Sequence, residues 1–154
     1  GSIGGPEENA MITVRQLLSR KGHGIRHIDP EASVLDALRV MAEWDVGALV
    51  VLQEGDLVGL VSERDYARKV VLKGRLSKDT RVGEIMDEKP ICVSSTASVE
   101  ECMGLMTDKR TRHLPVVENG QVSGIISIGD VVKAIIEDRE MTIEELQHYI
   151  TGGR

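Results

Sequence analysis

The sequence predicts an α+β fold made of two tandem repeats, each with the element order βαββα. The first observation is that the two halves of the sequence match without gaps. At an offset of 65 positions, Gly59 matches Gly124 and Asp65 matches Asp130 (124 − 59 and 130 − 65). The second is that each copy contains apolar residues at helical spacing, followed by two β-branched runs. We expect a leader over residues 1–10, a first repeat over 11–74, a second repeat over 75–138, and a C-terminal helix and tail over 139–154.

A short helix leads into each repeat. Apolar residues at helical spacing predict it from Val14 in the first copy and over Val82 to Met86 in the second. A short extended segment is expected next, at Ile28 in the first repeat and at Val93 in the second.

The main helix of each repeat is expected to begin after a serine. Apolar residues recur at i, i+3, i+4 and i+7 from Val34, and again from Val99. Ser33 and Ser98 stand directly before them, each with an acidic residue three positions on. This is the capping-box pattern, which satisfies unpaired backbone donors at a helix start.

Two β-branched runs predict a hairpin in each repeat, because Gly55 and Gly120 lie in the short polar turns between the runs. The expected strands are 48–52 with 57–61, and 114–117 with 122–127. A final helix is expected after each hairpin, over 63–72 and 129–137.

The two ends of the sequence lie outside the repeats. Thr142 and Glu145 match a capping box, and apolar residues recur from Ile143 to Ile150, so one more helix is expected there. That helix either packs on the repeats or builds a dimer, and the sequence leaves both open. The opening GSIGGPEEN has no apolar core of a signal peptide and is expected to be a loose leader.

Composition and charge argue against several classes of function. The formal net charge of −6 disfavours sequence-independent binding of nucleic acid, because neutralising phosphates requires a basic surface. No apolar run approaches the roughly 20 residues of a membrane helix, so we expect a cytoplasmic protein with no membrane partner. Cys92 and Cys102 lie in no metal-ligand spacing. We expect both to be structural thiols, with no metal bound.

The junction between the second hairpin strand and the final helix carries the same pattern in both copies. It reads GLVSERD over residues 59–65 and GIISIGD over residues 124–130. Two βαββα units with this pattern, from Thr13 to Glu137, resemble the CBS-domain family. The resemblance implies a Bateman module, in which two CBS repeats pack with pseudo-two-fold symmetry and leave two clefts for adenosine-containing ligands.

The residues of this pattern suit a nucleotide on chemical grounds. Ser62 and Ser127 each end a strand at a helix start, where unpaired N–H groups and the helix dipole favour an anion. Asp65 and Asp130 follow one turn later, and an ionised carboxylate can accept both hydroxyl protons of a ribose. The same spacing is also an ordinary capping box. The spacing alone favours capping, whereas the repeat and the preceding glycine favour a nucleotide site.

The resemblance also implies which residues line the two clefts. For one cleft they are Ser127, Asp130, Gly129, Ile125, Arg112, His113, Lys21, Gly24, Arg26, Val46, Gly47 and Ala48. For the other they are Ser62, Arg64, Asp65, Leu60, Gly47, Ala48, Lys89 and Ile91, to which Arg68 is added because it lies four residues after Arg64.

Several of these roles stay open at the level of sequence. Arg112 is expected to contact a phosphate, whereas His113 is either a ligand contact or a structural hydrogen-bonding residue. Arg64 and Arg68 either reach a phosphate or lie on a solvated face. Because the chain has no phenylalanine and one tryptophan, aliphatic walls are expected to hold the adenine, and Trp44 is expected to pack at a helix end.

The leading hypothesis is a regulatory module rather than an enzyme. It would bind an adenine nucleotide (AMP, ATP or NAD) and transmit this to an unidentified target protein through the geometry of a homodimer. The alternative is a structural dimerisation module with no physiological ligand. The sequence offers no Ser/His/Asp order, phosphate-binding P-loop or clustered metal ligands for catalysis.

Overall fold

The computed structural model describes residues 12–22 and 24–138, and the described chain forms two compact units. One, here called the sheet unit, comprises residues 24–92 and 115–125. The other, here called the helix unit, comprises residues 12–22, 93–114 and 126–138. No helix among the described residues is long and apolar enough to cross a membrane.

A three-stranded sheet forms the centre of the sheet unit. Strand β1 (His27–Ile28) pairs in parallel with β2 (Ala48–Gln53), which pairs antiparallel with β3 (Asp56–Ser62). The β2–β3 turn places Glu54 and Gly55 at φ values of 53° and 85°, the left-handed region that tight hairpin turns require. The predicted hairpin is confirmed.

The two faces of this sheet bury different apolar sets, as the period of two along a strand requires. The main helix α2 (Val34–Trp44) packs on one face. The buried residues on that face are Val34, Ala37, Met41, Leu49, Val51, Val61, Val70, Val82 and Ile85. On the other face, Ala48, Val50 and Leu60 are buried against the side chains of Ile25, Leu52, Leu57, Val122 and Ile125.

The final helix of the first repeat changes its winding partway along. It begins as α3 (Glu63–Tyr66) and continues as a π-helical turn over Ala67–Val71, a distinction that apolar spacing did not predict. A 3₁₀ turn over Ser77–Asp79 and the short helix α4 (Val82–Ile85) follow. The predicted lead-in helix extended to Met86, but Met86 adopts an extended ψ of 154° and ends it.

Two capped helices lie in the helix unit. Thr13 and Gln16 form a capping box at α1 (Val14–Lys21), and Ser98 and Glu101 form one at α5 (Val99–Lys109). The two starts are joined, because the N–H of Val99 donates to the carbonyl of Ile12 at 2.8 Å and that of Val14 to the carbonyl of Ala97 at 2.9 Å. At Ser33, by contrast, the structure records only the serine half of the predicted box.

The second hairpin consists of β4 (His113–Glu118) and β5 (Gln121–Ser127), with Asn119 and Gly120 at positive φ in the turn. A helix, here α6, then begins at residue 128 and is described to residue 138. Both hairpins and the α+β class are therefore confirmed. The predicted leader and C-terminal helix lie outside the described residues.

Candidate functional site

The end of β5 and the start of α6 form the first candidate site, within the helix unit. The hydroxyl of Ser127 accepts a hydrogen bond from the N–H of Asp130 at 3.1 Å, and the N–H of Ser127 donates to Oδ2 of Asp130 at 2.8 Å. The serine and aspartate therefore cap α6, as the ordinary reading of their spacing predicted. The capping bonds also fix the orientation of the carboxylate.

Lys21, at the end of α1, joins this carboxylate. Its Nζ lies 2.6 Å from Oδ2 of Asp130, and the two side chains are 33% and 24% exposed. Burial by itself would raise the pKa of Asp130, but the hydrogen bonds from Lys21 and Ser127 outweigh it and hold that pKa below its ordinary value. Asp130 is therefore ionised at neutral pH and acts only as an acceptor.

Arg112 and His113 lie close to this junction. The carbonyl of Arg112 accepts the N–H of Ile128 at 2.8 Å, which ties the start of β4 to the start of α6. Burial, and then the positive charge of Lys21, lower the pKa of His113, against the opposing effect of Asp130. His113 is therefore neutral at pH 7, and its imidazole has one donor and one acceptor nitrogen.

A cavity of about 340 Å³ opens beside Asp130, between α1 and α6. This volume lies within the range of about 300–1,000 Å³ that small-molecule sites occupy. Its lining residues are Leu17, Arg20, Lys21, Asp130, Lys133, Ala134 and Glu137. Sequence reasoning missed Arg20 and Lys133. The available signal was position, since Arg20 precedes Lys21 and Lys133 lies one helical turn after Asp130.

The copy of the motif in the first repeat lies in the sheet unit and also forms a capping box. The N–H of Ser62 donates to Oδ2 of Asp65 at 2.9 Å, and the N–H of Asp65 donates to the Ser62 hydroxyl at 3.2 Å. Lys69 places Nζ 3.2 Å from Oδ1 of Asp65, which is the ordinary i,i+4 ion pair of the solvated-face interpretation. The N–H of Glu63 donates to the carbonyl of Gly47 at 3.0 Å, so Gly47 adjoins this helix start.

The glycine of this motif is approached closely by the protein itself. A Cβ on Gly59 would lie 2.6 Å from Sδ of Met86 and 2.9 Å from the carbonyl oxygen of Asp87. Leu60 and Asp87 exchange backbone hydrogen bonds of 3.0 and 2.8 Å. The space beside Gly59 is therefore occupied by the chain after α4.

Arg26 and Trp44 form a stacked pair in the sheet unit. The guanidinium carbon of Arg26 lies 3.6 Å from the centre of the Trp44 ring, a cation–π geometry. A Cβ on Gly24 would lie 2.9 Å from the same guanidinium carbon, so Gly24 leaves room for it. Trp44 is 49% exposed. It packs at a helix end as predicted, but against a cation rather than in the core.

The predicted site residues are divided between the two units. The helix unit holds Ser127, Gly129, Asp130, Arg112, His113 and Lys21, whereas the sheet unit holds Gly24, Arg26, Val46, Gly47, Ala48, Leu60, Ser62, Arg64, Asp65, Arg68, Lys89, Ile91 and Ile125. Ala48 is buried and Ile125 packs against its cluster, whereas Arg64, Arg68 and Lys89 are exposed. Among the described residues, no group of His, Cys, Asp and Glu is arranged to hold a metal.

The chain is similar to several known proteins. The mitochondrial CBS domain-containing protein CBSX3 of Arabidopsis thaliana is 44% identical over 126 residues, which are 79% of this chain and 61% of the relative. This chain thus spans about three fifths of that relative. A crystallised putative signal-transduction protein with CBS domains from Burkholderia ambifaria is 49% identical, with a TM-score of 0.79 over 82% of this chain and 96% of that one.

A third similar structure contains a nucleotide. It is a CBS domain protein from Pyrobaculum aerophilum complexed with AMP, 26% identical, with a TM-score of 0.69 over 82% of this chain and 99% of that one. The family model for the CBS domain matches this chain twice, over residues 14–72 and 82–137. The chain therefore belongs to the CBS-domain family and carries two CBS domains in tandem.

Proposed function

We propose that this protein is a regulatory module that binds an adenine nucleotide, such as AMP, ATP or NAD, at the Ser127–Asp130 junction. The supporting observation is an ionised, oriented carboxylate at a helix start, with a cation-lined cavity directly beside it. A second nucleotide is proposed at Ser62 and Asp65, where the same capping geometry recurs.

The proposed contacts follow from the chemistry of the junction. The bonds from Ser127 and Lys21 both reach Oδ2 of Asp130, and a carboxylate has about four lone-pair sites, so it can also accept ribose hydroxyls. The start of α6 and the ammonium of Lys21 favour the phosphate. AMP in the Pyrobaculum aerophilum relative supports an adenine nucleotide as the ligand class.

A thermal-shift panel of AMP, ADP, ATP and NAD on the full chain tests this proposal. At about 100 times its dissociation constant, a ligand adds about 2.7 kcal/mol of stability, or about 5–11 °C in Tm for a chain of this size. We expect Asp130→Ala to weaken the response. The matched control is Glu101→Ala, which removes a capping carboxylate from α5 instead. Full responses in both Asp130→Ala and Asp65→Ala would show that both sites are wrong.

A homodimer is the second part of the proposal. Ile128, Val132 and Ile136 recur every four residues along α6 and are 37%, 38% and 50% exposed. Such a stripe is typical of a surface that another helix covers. The same stripe favours the alternative function, a structural dimerisation module. Light scattering of the parent and of Val132→Glu, each with and without AMP, separates the two. If the protein forms a dimer and AMP does not change the fraction of dimer, the result supports the structural dimerisation module.

We further propose that the module is not an enzyme, acts on an unidentified target protein and is cytoplasmic. Hydrolysis of an added nucleotide would contradict the first statement. The Arabidopsis relative is mitochondrial by name, so fractionation of cells that express the protein is the test of location.

A further inference from the structure

We propose that the cavity between α1 and α6 binds the outer phosphates of a nucleoside di- or triphosphate, through Arg20, Lys21 and Lys133. The inference rests on the proposed function and narrows it, because it makes the di- and triphosphate the preferred ligands of the Asp130 site. It adds Arg20 and Lys133 to the contact residues.

The charges of the cavity carry this inference. Three cations and two carboxylates line it, and Lys21 already pairs with Asp130. Arg20 and Lys133, by contrast, make no hydrogen bond or ion pair within residues 12–22 and 24–138. Two cations that have no partner among the described residues therefore line one cavity.

The chemistry of these side chains matches a phosphate chain better than a single phosphate. An arginine can hold one phosphate through two parallel N–H bonds, and a lysine acts as a compact point charge on another. Lys21 comes from α1 and Lys133 from α6, so the cations approach from two helices. Glu137 lies in the same cavity and repels added phosphates.

Calorimetric titration of the full chain with AMP, ADP and ATP, at one ionic strength, tests the inference. We expect ATP to bind at least about tenfold more tightly than AMP, which corresponds to one charge-assisted hydrogen bond. Arg20→Ala and Lys133→Ala should each remove most of the tenfold preference for ATP over AMP. Each should leave the affinity for AMP within about twofold of the parent value. Glu137→Gln should increase the preference for ATP over AMP, because it removes a negative charge that repels the added phosphates.

Lys109→Ala is the matched control, since Lys109 is an exposed lysine of the same unit that does not line the cavity. It should leave both affinities unchanged. If AMP binds but the ATP-to-AMP ratio is the same in the parent, Arg20→Ala and Lys133→Ala, the inference is wrong and the proposed function stands. If the parent binds none of the three nucleotides and NAD gives no thermal shift either, the proposed function itself is overturned.

Discussion

Replacing Lys21 by methionine removes the ammonium from Asp130 and keeps most of the apolar stem. The pair is close, at 2.6 Å, and only 33% and 24% exposed. A hydrogen bond to a charged group contributes about 1.5–3 kcal/mol, and the partial exposure reduces this through solvent screening. We expect Lys21→Met to lower the free energy of unfolding by about 1–2 kcal/mol at pH 7, or about 2–8 °C in Tm.

The pH dependence identifies the cause of this loss. Because Lys21 lowers the folded-state pKa of Asp130, its contribution is fully present above the ordinary aspartate pKa of about 3.9. It disappears as the pH falls through the lower, folded-state value. Urea denaturation of both proteins should therefore give a constant difference between about pH 7 and 5, and a shrinking one below about pH 4.

The Arg39–Asp36 pair supplies the control. It spans 3.3 Å on an exposed helix face, with side chains 70% and 57% exposed, so Arg39→Met should cost about 0.5 kcal/mol or less. A Lys21→Met loss that is no larger than this, or one that persists undiminished in acid, would refute the reasoning.

Three other predictions concern backbone space, thiols and the tryptophan. Gly59→Ala should destabilise the chain by about 1–3 kcal/mol in urea denaturation, because a Cβ would meet the carbonyl oxygen of Asp87 at 2.9 Å; an unchanged midpoint contradicts this. Burial raises the pKa of Cys102 to about 11, so mass spectrometry after alkylation at about pH 8 should find it unlabelled until urea is added. Arg26→Ala should change the fluorescence of Trp44, the one tryptophan, and an identical emission spectrum would exclude the stack.

The main helices and hairpins could be predicted because each depends on local residues. Ser98 and Glu101 cap their helix as their spacing indicated, and Gly120 adopts the positive φ that its turn requires. The π-helical turn over Ala67–Val71 could not be predicted, since it differs from an α-helix in bonding i to i+5, and apolar spacing over five residues does not distinguish the two. The predicted helix that included Met86 ends at Ile85 instead, because the chain then extends so that Asp87 can pair with Leu60.

Local spacing predicts the candidate site only where residues close in sequence supply it, and the family resemblance alone placed Lys21 in the same cleft as Asp130. Ser127 and Asp130 lie three residues apart, so their contact follows from helix geometry. The partnership of Lys21 with Asp130 joins residues 109 positions apart, and no local pattern encodes it. Arg20 and Lys133 each lie near an expected contact residue in the sequence, but they line one cavity only because α1 and α6 pack together.

Capping and ligand binding are compatible uses of the same aspartate. A capping box alone does not distinguish a site, because Ser98 and Glu101 form one on α5, away from the cavity. Asp130 differs in its surroundings, since a lysine from another helix holds its charge and a cavity opens beside it. The cap orients the carboxylate before any ligand arrives, so binding need not include the cost of ordering that side chain. The motif can thus act in folding and in recognition, and Asp130→Ala measured against Glu101→Ala separates the two contributions.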